Sequence, residues 1–323
     1  MTEQKKTMEA AYYNEFGGPE VLEVGQMPMP QISDNQVLVK VAAVSFNPLD
    51  GYQRMGQLGD VQFPHIPQID FSGIVTEVGS QVTDFKSGDR VIGANVDFQK
   101  DGAAAEYVAL AIDDPTSMLV HAPSNVSLAD AATLPCAALT AYQGLLTHCQ
   151  VNKGDRIFIA GGAGGVGSFA IQIAKGLGAH VISSASSKNL DFLKSLGADD
   201  VFDYANDSLE NHVNEKLDAV FSIAPISTEA LDQFIPSIKE GGHLVSTLNP
   251  ASEELAEQYK IKASTMAVTP ATNDLQEVVK LVENNVVKPY VTERYPLDQI
   301  VQAHATAGQT HGKVIVVVDN DLN

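Results

Sequence analysis

A glycine-rich stretch near the middle of the chain constrains its fold more than any other segment. Apolar residues 157–160 predict a buried strand, and the residues that follow are Gly161-Gly-Ala-Gly-Gly-Val-Gly167. An apolar stripe then predicts a helix over 168–177 that ends before Gly178, and residues 179–185 predict a second strand. The spacing Gly-x-Gly-x-x-Gly inside such a βαβ unit is the dinucleotide-binding pattern. We therefore favour nucleotide binding over an unrelated glycine turn.

Each glycine of this pattern has an expected task. Gly162 would permit the tight turn, Gly164 would let a pyrophosphate approach the backbone, and Gly167 would let the helix pack closely on its strand. The amides at the start of the helix, together with its dipole, would face the phosphates. We expect the pyrophosphate to lie on the N–H groups of Gly164, Gly165 and Val166. The predicted phosphate loop consists of Gly162, Ala163, Gly164, Gly165 and Val166.

The end of the second predicted strand indicates which cofactor fits. Sites specific for NADH place Asp or Glu about 20 residues past the glycines, where it binds the ribose 2′-hydroxyl. Here that point falls near Ser184, and no carboxylate occurs before Asp191. Ser184, Ser186 and Lys188 can instead bind a 2′-phosphate through charge-assisted hydrogen bonds. The pattern predicts NADPH, although an exposed serine-rich turn with a solvated lysine would look the same.

Length, charge and cysteine content set wider limits. A chain of 323 residues is expected to form two domains. Its formal net charge of -20 argues against nucleic acid or an anionic membrane as a partner. It has two cysteines, Cys136 and Cys149, and no signal-like N-terminus, which favours a reducing, cytoplasmic setting. No apolar run approaches the roughly 20 residues that span a bilayer.

The pattern of predicted strands and helices changes near residue 128. Before it, β-branched segments such as 37–44 and 72–79 alternate with Pro, Gly and Asn clusters, which predicts a β-rich, barrel-like domain. After it, strands alternate with helices, one of them predicted over 230–238. Alternation at this pitch predicts a parallel, doubly wound α/β sheet. The β-branched tail 312–318 predicts a strand that returns to the first domain.

Eight short segments occur in an order that is itself informative. They are Val44-Ser-Phe-Asn-Pro-Leu-Asp50, Asp70-Phe-Ser-Gly-Ile-Val75, Gly88-Asp-Arg-Val91, Gly102-Ala-Ala-Ala-Glu-Tyr-Val108, Leu134-Pro-Cys-Ala-Ala-Leu-Thr-Ala-Tyr142, the glycine stretch, Leu196-Gly-Ala-Asp199 and Gly312-Lys313. In this order they resemble the zinc-free quinone oxidoreductase branch of the medium-chain dehydrogenase/reductase superfamily. The resemblance implies a GroES-like β-barrel catalytic domain (residues 1–125 plus 270–323) with a Rossmann domain (126–269) inserted into it. It also implies an active site in the cleft between domains, and a homodimer.

The resemblance extends to single positions. Where the zinc alcohol dehydrogenases have a Cys ligand and a His ligand, this chain has Asn47 and Ile69, and their four-cysteine zinc lobe is missing. We therefore expect no catalytic metal, which removes the Lewis-acid route to alcohol oxidation. In the family a Tyr after the third Rossmann strand often joins the 2′-phosphate site, and Tyr204 matches it. Thr140 is a candidate for the nicotinamide half of the cofactor.

The function that these expectations favour is NADPH-dependent reduction of quinones or activated alkenes by hydride transfer. Asn47 is expected to bond the nicotinamide carboxamide or the substrate carbonyl. Tyr52 is expected either to stabilise the oxyanion and deliver a proton, or to serve as a wall on which a planar substrate stacks. Asp50 is interpreted as a turn-forming or ion-pairing residue. The alternatives are a trans-2-enoyl thioester reductase and a nucleotide-binding redox sensor or structural protein without turnover.

Overall fold

The computed structural model describes residues 6–322, which form two compact units. Unit 1 takes the described residues up to Cys136, the segment Pro270–Glu283 and the described residues from Pro289 onwards. Unit 2 takes Ala137–Thr269 and Asn284–Lys288. Each unit has a sheet of its own, and each is described separately below.

The strands are β1 (Thr7–Tyr12), β2 (Glu23–Pro28), β3 (Gln36–Ser45), β4 (Asp70–Val78), β5 (Arg90–Asn95), β6 (Tyr107–Ala111), β7 (Ser117–His121), β8 (Arg156–Ala160), β9 (His180–Ala185), β10 (Asp200–Asp203), β11 (Leu217–Ser222), β12 (Ile238–Ser246), β13 (Lys262–Thr265), β14 (Val291–Pro296) and β15 (Lys313–Val317). The α-helices are α1 (Pro48–Arg54), α2 (Leu128–Ala131), α3 (Leu139–Gln143), α4 (Gly165–Gly176), α5 (Leu190–Ser195), α6 (Thr228–Asp232), α7 (Glu253–Gln258), α8 (Thr272–Glu283) and α9 (Ile300–Thr306). Among residues 6–322, no helix is long and apolar enough to cross a membrane.

Unit 1 is built on a mostly antiparallel sheet with the strand order β14-β15-β3-β4-β5-β7, and β6 also pairs with β3. The long central strand β3 is rich in valine, and its Val37, Val39 and Val41 side chains enter the core of this unit. The C-terminal strand β15 pairs antiparallel with β3, with Ile315 opposite Ser45. The prediction that the tail returns to the first domain is therefore confirmed.

Unit 2 contains a six-stranded sheet with the order β10-β9-β8-β11-β12-β13, and every pair in it is parallel. This is the doubly wound order of a Rossmann fold, so the predicted α/β class is confirmed. The order reverses between β8 and β11, and ligands of such sheets bind beyond the carboxyl ends of the strands at that point. The glycine stretch follows β8 directly and therefore lies at this place.

Two predicted helices differ from the structure. Helix α4 begins at Gly165, three residues before the prediction, because the glycine loop itself supplies the first turn. Gly178 then takes the left-handed conformation expected after a helix, with φ of 85°. The helix predicted over 230–238 is wrong in its second half. Helix α6 ends at Asp232, and Ile238 already begins β12, because Pro236 offers no N–H to continue the helix.

Candidate functional site

The turn after β8 uses a different glycine from the one predicted. Gly161, not Gly162, has the left-handed φ of 87° that the tight turn requires. Gly162 is required by packing, since a Cβ there would lie 2.9 Å from Ile171 Cδ1 and would also collide with the Ser183 hydroxyl. The tight-turn role assigned to Gly162 is therefore wrong, because the spacing of glycines does not reveal which one has the positive φ.

Gly164 caps helix α4, and the space beside it is open, so a ligand can approach the start of the helix. A Cβ on Gly164 would meet only the Gly161 carbonyl oxygen, at 3.4 Å, whereas one on Gly167 would overlap that oxygen and lie 2.6 Å from Gly162 Cα. Gly167 thus permits the close packing predicted for it. The Gly164 N–H already donates to the Gly161 carbonyl at 3.1 Å, so it is not available to an anion. Gly165 and Val166 open the helix, where amides lack intrahelical acceptors.

Short polar side chains follow β9 at the same edge of the sheet. Ser184 is buried, and Ser186 accepts a hydrogen bond from Asn189 Nδ2 at 3.3 Å. Lys188 is exposed in the short 3₁₀ turn Ser187–Asn189. Tyr204 follows β10, is 64% exposed, and its N–H donates to the Ala185 carbonyl at 3.3 Å. The structure therefore brings Tyr204 next to the serine-rich turn, while Thr140 lies buried in α3.

Beside this turn lies a cavity of about 630 Å³ within unit 2, which the sequence reasoning missed. Phe158 and Phe202 line it, with ring centroids 5.7 Å apart, and so do Ser184 and Tyr204. Ala224, in the loop after β11, also lines it. An apolar cavity with a few polar groups at a carboxyl edge is typical of a ligand site. The sequence could have indicated this cavity, because the loops that follow neighbouring parallel strands meet at the carboxyl edge of the sheet.

In unit 1, the segment that begins α1 is fixed by a buried carboxylate. Asn47 precedes the helix, Pro48 occupies its first turn, and the Asn47 backbone N–H donates to Asp50 Oδ2 at 2.6 Å. The other oxygen, Asp50 Oδ1, accepts from the Ile69 backbone N–H at 3.0 Å. Asp50 thus satisfies two amides, as expected for the turn-forming role predicted from sequence.

The Asn47 side chain is buried, with 3% of its surface exposed, and both ends of its amide have internal partners. Its Nδ2 donates to Asp70 Oδ2 at 2.8 Å, and its Oδ1 accepts from Lys313 Nζ at 2.7 Å. These contacts differ from the expected bonds to a nicotinamide or a substrate carbonyl, because the amide is already used inside unit 1.

Lys313, at the start of β15, is the cation of this buried network. Its ammonium also donates to the Phe46 carbonyl at 2.6 Å. Burial lowers the pKa of Lys313, against the attraction of nearby Asp70. Burial likewise raises the pKa of Asp70 to about 7, although Lys313 and the Asn47 amide act in the opposite direction. Burial also raises the pKa of Asp50 to about 7, against the two backbone amides that it accepts from.

A second row of polar side chains extends from this network to helix α9. Gln68 Nε2 donates to the Ser45 carbonyl at 3.0 Å, and Gln68 Oε1 accepts from His304 Nε2 at 2.6 Å. Arg54 donates to His304 Nδ1. Burial, and then the Arg54 charge, lower the pKa of His304 to about 3, so its imidazole stays neutral and carries its proton on Nε2.

Tyr52 lies on α1 and is half-buried. Its hydroxyl makes no hydrogen bond within the described part of the chain, which leaves it able to donate to a ligand. Ile69 is buried and cannot ligate a metal. Within residues 6–322, no cluster of three or more His, Cys, Asp or Glu side chains could hold a metal ion.

Comparison with known proteins identifies the relatives of this chain. Residues 33–123 match the family described as "Alcohol dehydrogenase GroES-like domain", and residues 196–316 match "Zinc-binding dehydrogenase". The chloroplast envelope quinone oxidoreductase homolog of Arabidopsis thaliana is 34% identical, over 96% of this chain and 98% of that protein. The chloroplastic NADPH-dependent alkenal/one oxidoreductase of the same plant is 33% identical, over 96% of this chain and 80% of that protein.

A solved structure extends the similarity to three dimensions. The quinone oxidoreductase of Coxiella burnetii superposes with a TM-score of 0.86 and 32% sequence identity, over 97% of this chain and all of that chain. Both units are therefore covered by one relative. The chain belongs to the quinone oxidoreductase branch of the medium-chain dehydrogenase/reductase superfamily, a family of nicotinamide-dependent oxidoreductases.

Proposed function

We propose that this protein is an NADPH-dependent reductase that transfers hydride to quinones or to activated alkenes and carbonyls without a metal. The observation that carries the proposal is the open helix start at Gly164, where a ligand can approach amides that have no partner inside the helix. Relatives named quinone oxidoreductase and NADPH-dependent alkenal/one oxidoreductase support the substrate class.

The residues at this edge of unit 2 fit a dinucleotide phosphate. Gly165 and Val166 would bind the pyrophosphate through their backbone amides. Ala163 and Gly164, which precede them in the loop, would lie next to the phosphates. Lys188, Tyr204 and the serines beside them would bind the 2′-phosphate, and no carboxylate among residues 184–190 would repel it. The apolar cavity lined by Phe202 would take a flat ring. The bound cofactor supplies a hydride, and the protein aligns the reactants and excludes water.

The buried network of unit 1 supports a metal-free reaction. Lys313 donates to Asn47 Oδ1 and its charge acts on Asp70, so the Asn47 oxygen already has a cation as its partner. Quinones and enones accept hydride without a Lewis acid because their acceptor orbitals are low in energy. Tyr52 would donate to the oxyanion that develops on the substrate, and its phenol could then supply the proton.

The test is NADPH oxidation followed at 340 nm with a small quinone, a small enone and a crotonyl thioester. The proposal expects turnover with the quinone or the enone, and faster turnover with NADPH than with NADH. Turnover with the thioester alone would favour an enoyl thioester reductase. No turnover with any acceptor, together with tight NADPH binding, would favour a nucleotide-binding protein without catalysis.

We also propose a homodimer in a reducing, cytoplasmic setting. The sheet of unit 2 ends in β13, and all four of its residues are exposed. An edge strand offers unpaired backbone groups to a second copy. Light scattering on the purified protein would measure the mass of the particle, and a monomer would contradict this part of the proposal.

A further inference from the structure

We infer that Lys313 is a positioning residue whose buried ammonium fixes the start of helix α1, and with it Tyr52, for the proposed reduction. The inference rests on the proposed function, in which Tyr52 acts on the substrate. It assigns a role to a lysine that the sequence marks only as part of the Gly312-Lys313 segment.

The contacts of Lys313 converge on the two residues that precede α1. The residue is 4% exposed, and its Nζ donates to the Phe46 carbonyl at 2.6 Å and to Asn47 Oδ1 at 2.7 Å. The Phe46 N–H in turn donates to the Val314 carbonyl at 3.0 Å. Strand β15 therefore holds this segment through its backbone and through one charged side chain.

The ammonium also sets the orientation of the Asn47 amide. With Oδ1 facing Lys313, Nδ2 must face Asp70, and it donates there at 2.8 Å. A reversed amide would point its NH₂ group at the ammonium and its oxygen at the carboxylate, and both contacts would be repulsive. Lys313 and Asp70 thus fix one of two possible amide orientations, and the Asn47 backbone N–H caps α1 through Asp50.

Charge balance explains why a lysine is required at this place. Asp50 and Asp70 are both buried, and Lys313 and Arg54 are the cations that act on Asp50. Removal of Lys313 alone would leave a buried carboxylate without its cation, which is costly. Removal of Lys313 and Asp70 together would leave Asp50, which keeps the Arg54 charge, although the Asn47 amide would lose the two groups that orient it.

A variant pair separates positioning from stability. Lys313→Met should lower the melting temperature strongly, and Lys313→Met with Asp70→Asn should restore most of it. If Lys313 positions α1, the double variant still loses about 10-fold to 100-fold in kcat, because a small misplacement of Tyr52 is enough to slow the reaction. Its KM for NADPH stays near the wild-type value. Lys260→Met, which removes an exposed partner of Glu240, is the matched control and should change neither quantity.

A second readout needs no substrate. Hydrogen exchange of the amides in 49–54 should be about tenfold faster in the double variant than in the wild type, while the strands of unit 2 stay unchanged. Wild-type kcat and wild-type exchange in a stable double variant would overturn the inference. If the wild type reduces no acceptor, the proposed function fails, and the exchange comparison still decides whether Lys313 orders α1.

Asn47→Ala keeps the proposal testable if neither Lys313 variant folds. This substitution breaks the link between the ammonium and α1 but leaves Lys313 bonded to the Phe46 carbonyl. The inference expects the same loss in kcat and the same faster exchange in 49–54. Unchanged values of both in Asn47→Ala would overturn it.

Discussion

Replacement of Gly164 by aspartate should make the free protein more stable and its binding of NADPH much weaker. Gly164 caps α4 with φ of -74° and ψ of 176°, a conformation that any residue adopts, and its Cβ would meet nothing closer than 3.4 Å. An aspartate there can accept from the first-turn amides and interacts favourably with the helix dipole. We expect a gain of about 0.5–1 kcal/mol in the free energy of unfolding.

The same carboxylate would stand where the pyrophosphate is expected. It would compete for the amide of Val166, and would repel a phosphate charge at a distance of roughly 5 Å. At an effective dielectric constant of about 20 that repulsion is about 3 kcal/mol, which corresponds to an affinity loss on the order of 10²-fold. Stability and affinity should therefore change in opposite directions, which a general loss of structure cannot produce.

The assay is NADPH fluorescence titration, paired with urea denaturation of the free protein. Gly164→Ala is the matched control, because it adds the Cβ without charge or capping, and should weaken NADPH binding less than aspartate does. Gly167→Ala should instead lower stability by about 1–3 kcal/mol, since its Cβ would overlap backbone atoms of the glycine turn. A Gly164→Asp variant that binds NADPH as the wild type does would refute the assignment of the loop.

Three further predictions concern other parts of the protein. Lys188→Ala should reduce the preference for NADPH over NADH about tenfold, through loss of a charge-assisted bond, with NADH affinity unchanged; equal losses for both cofactors would exclude a 2′-phosphate contact. Tyr52→Phe should lower kcat about 10²-fold, whereas a change confined to KM would assign Tyr52 to substrate stacking. Urea denaturation should show the wild type losing stability relative to Asp70→Asn between about pH 4 and pH 7. Burial raises the pKa of Asp70 from 3.8 to about 7, so the folded protein holds a proton that the unfolded chain releases. The stabilisation that this proton gives the folded protein is complete below pH 4, falls by up to about 1.4 kcal/mol per pH unit, and is gone above pH 7. A difference in free energy of unfolding between wild type and Asp70→Asn that does not vary with pH would contradict this prediction.

Sequence pattern was sufficient for the glycine loop and the α/β class because both depend on local periodicity. The strand, the turn and the helix around Gly164 follow one another within 21 residues, so spacing alone predicts them. The identity of the positive-φ glycine could not be predicted in this way, because the pattern begins at Gly162 and its spacing carries no information on the backbone φ of the neighbouring Gly161. Their roles depend on the path of the backbone and on side chains such as Ile171 that pack over the turn.

The network around Lys313 could not be predicted from spacing. Lys313 and Asn47 are 266 positions apart, and only the pairing of β15 with β3 brings them together. A charged residue at the start of a strand otherwise made of Val and Ile was the available signal. Its meaning depends on the partner, because such a lysine lies in solvent unless a carboxylate or an amide oxygen lies beside it.

The most direct test of the central claim is the fate of the C4 hydrogen of NADPH. NADPH deuterated at C4, prepared separately in each of its two configurations, would be incubated with the enzyme and a small enone, and the product analysed by mass spectrometry. Our interpretation predicts that one configuration delivers a single deuterium to the β-carbon of the saturated product, and that the other delivers none. Reduced product without deuterium from either configuration, or no reduced product from the enone or from a quinone, would contradict it.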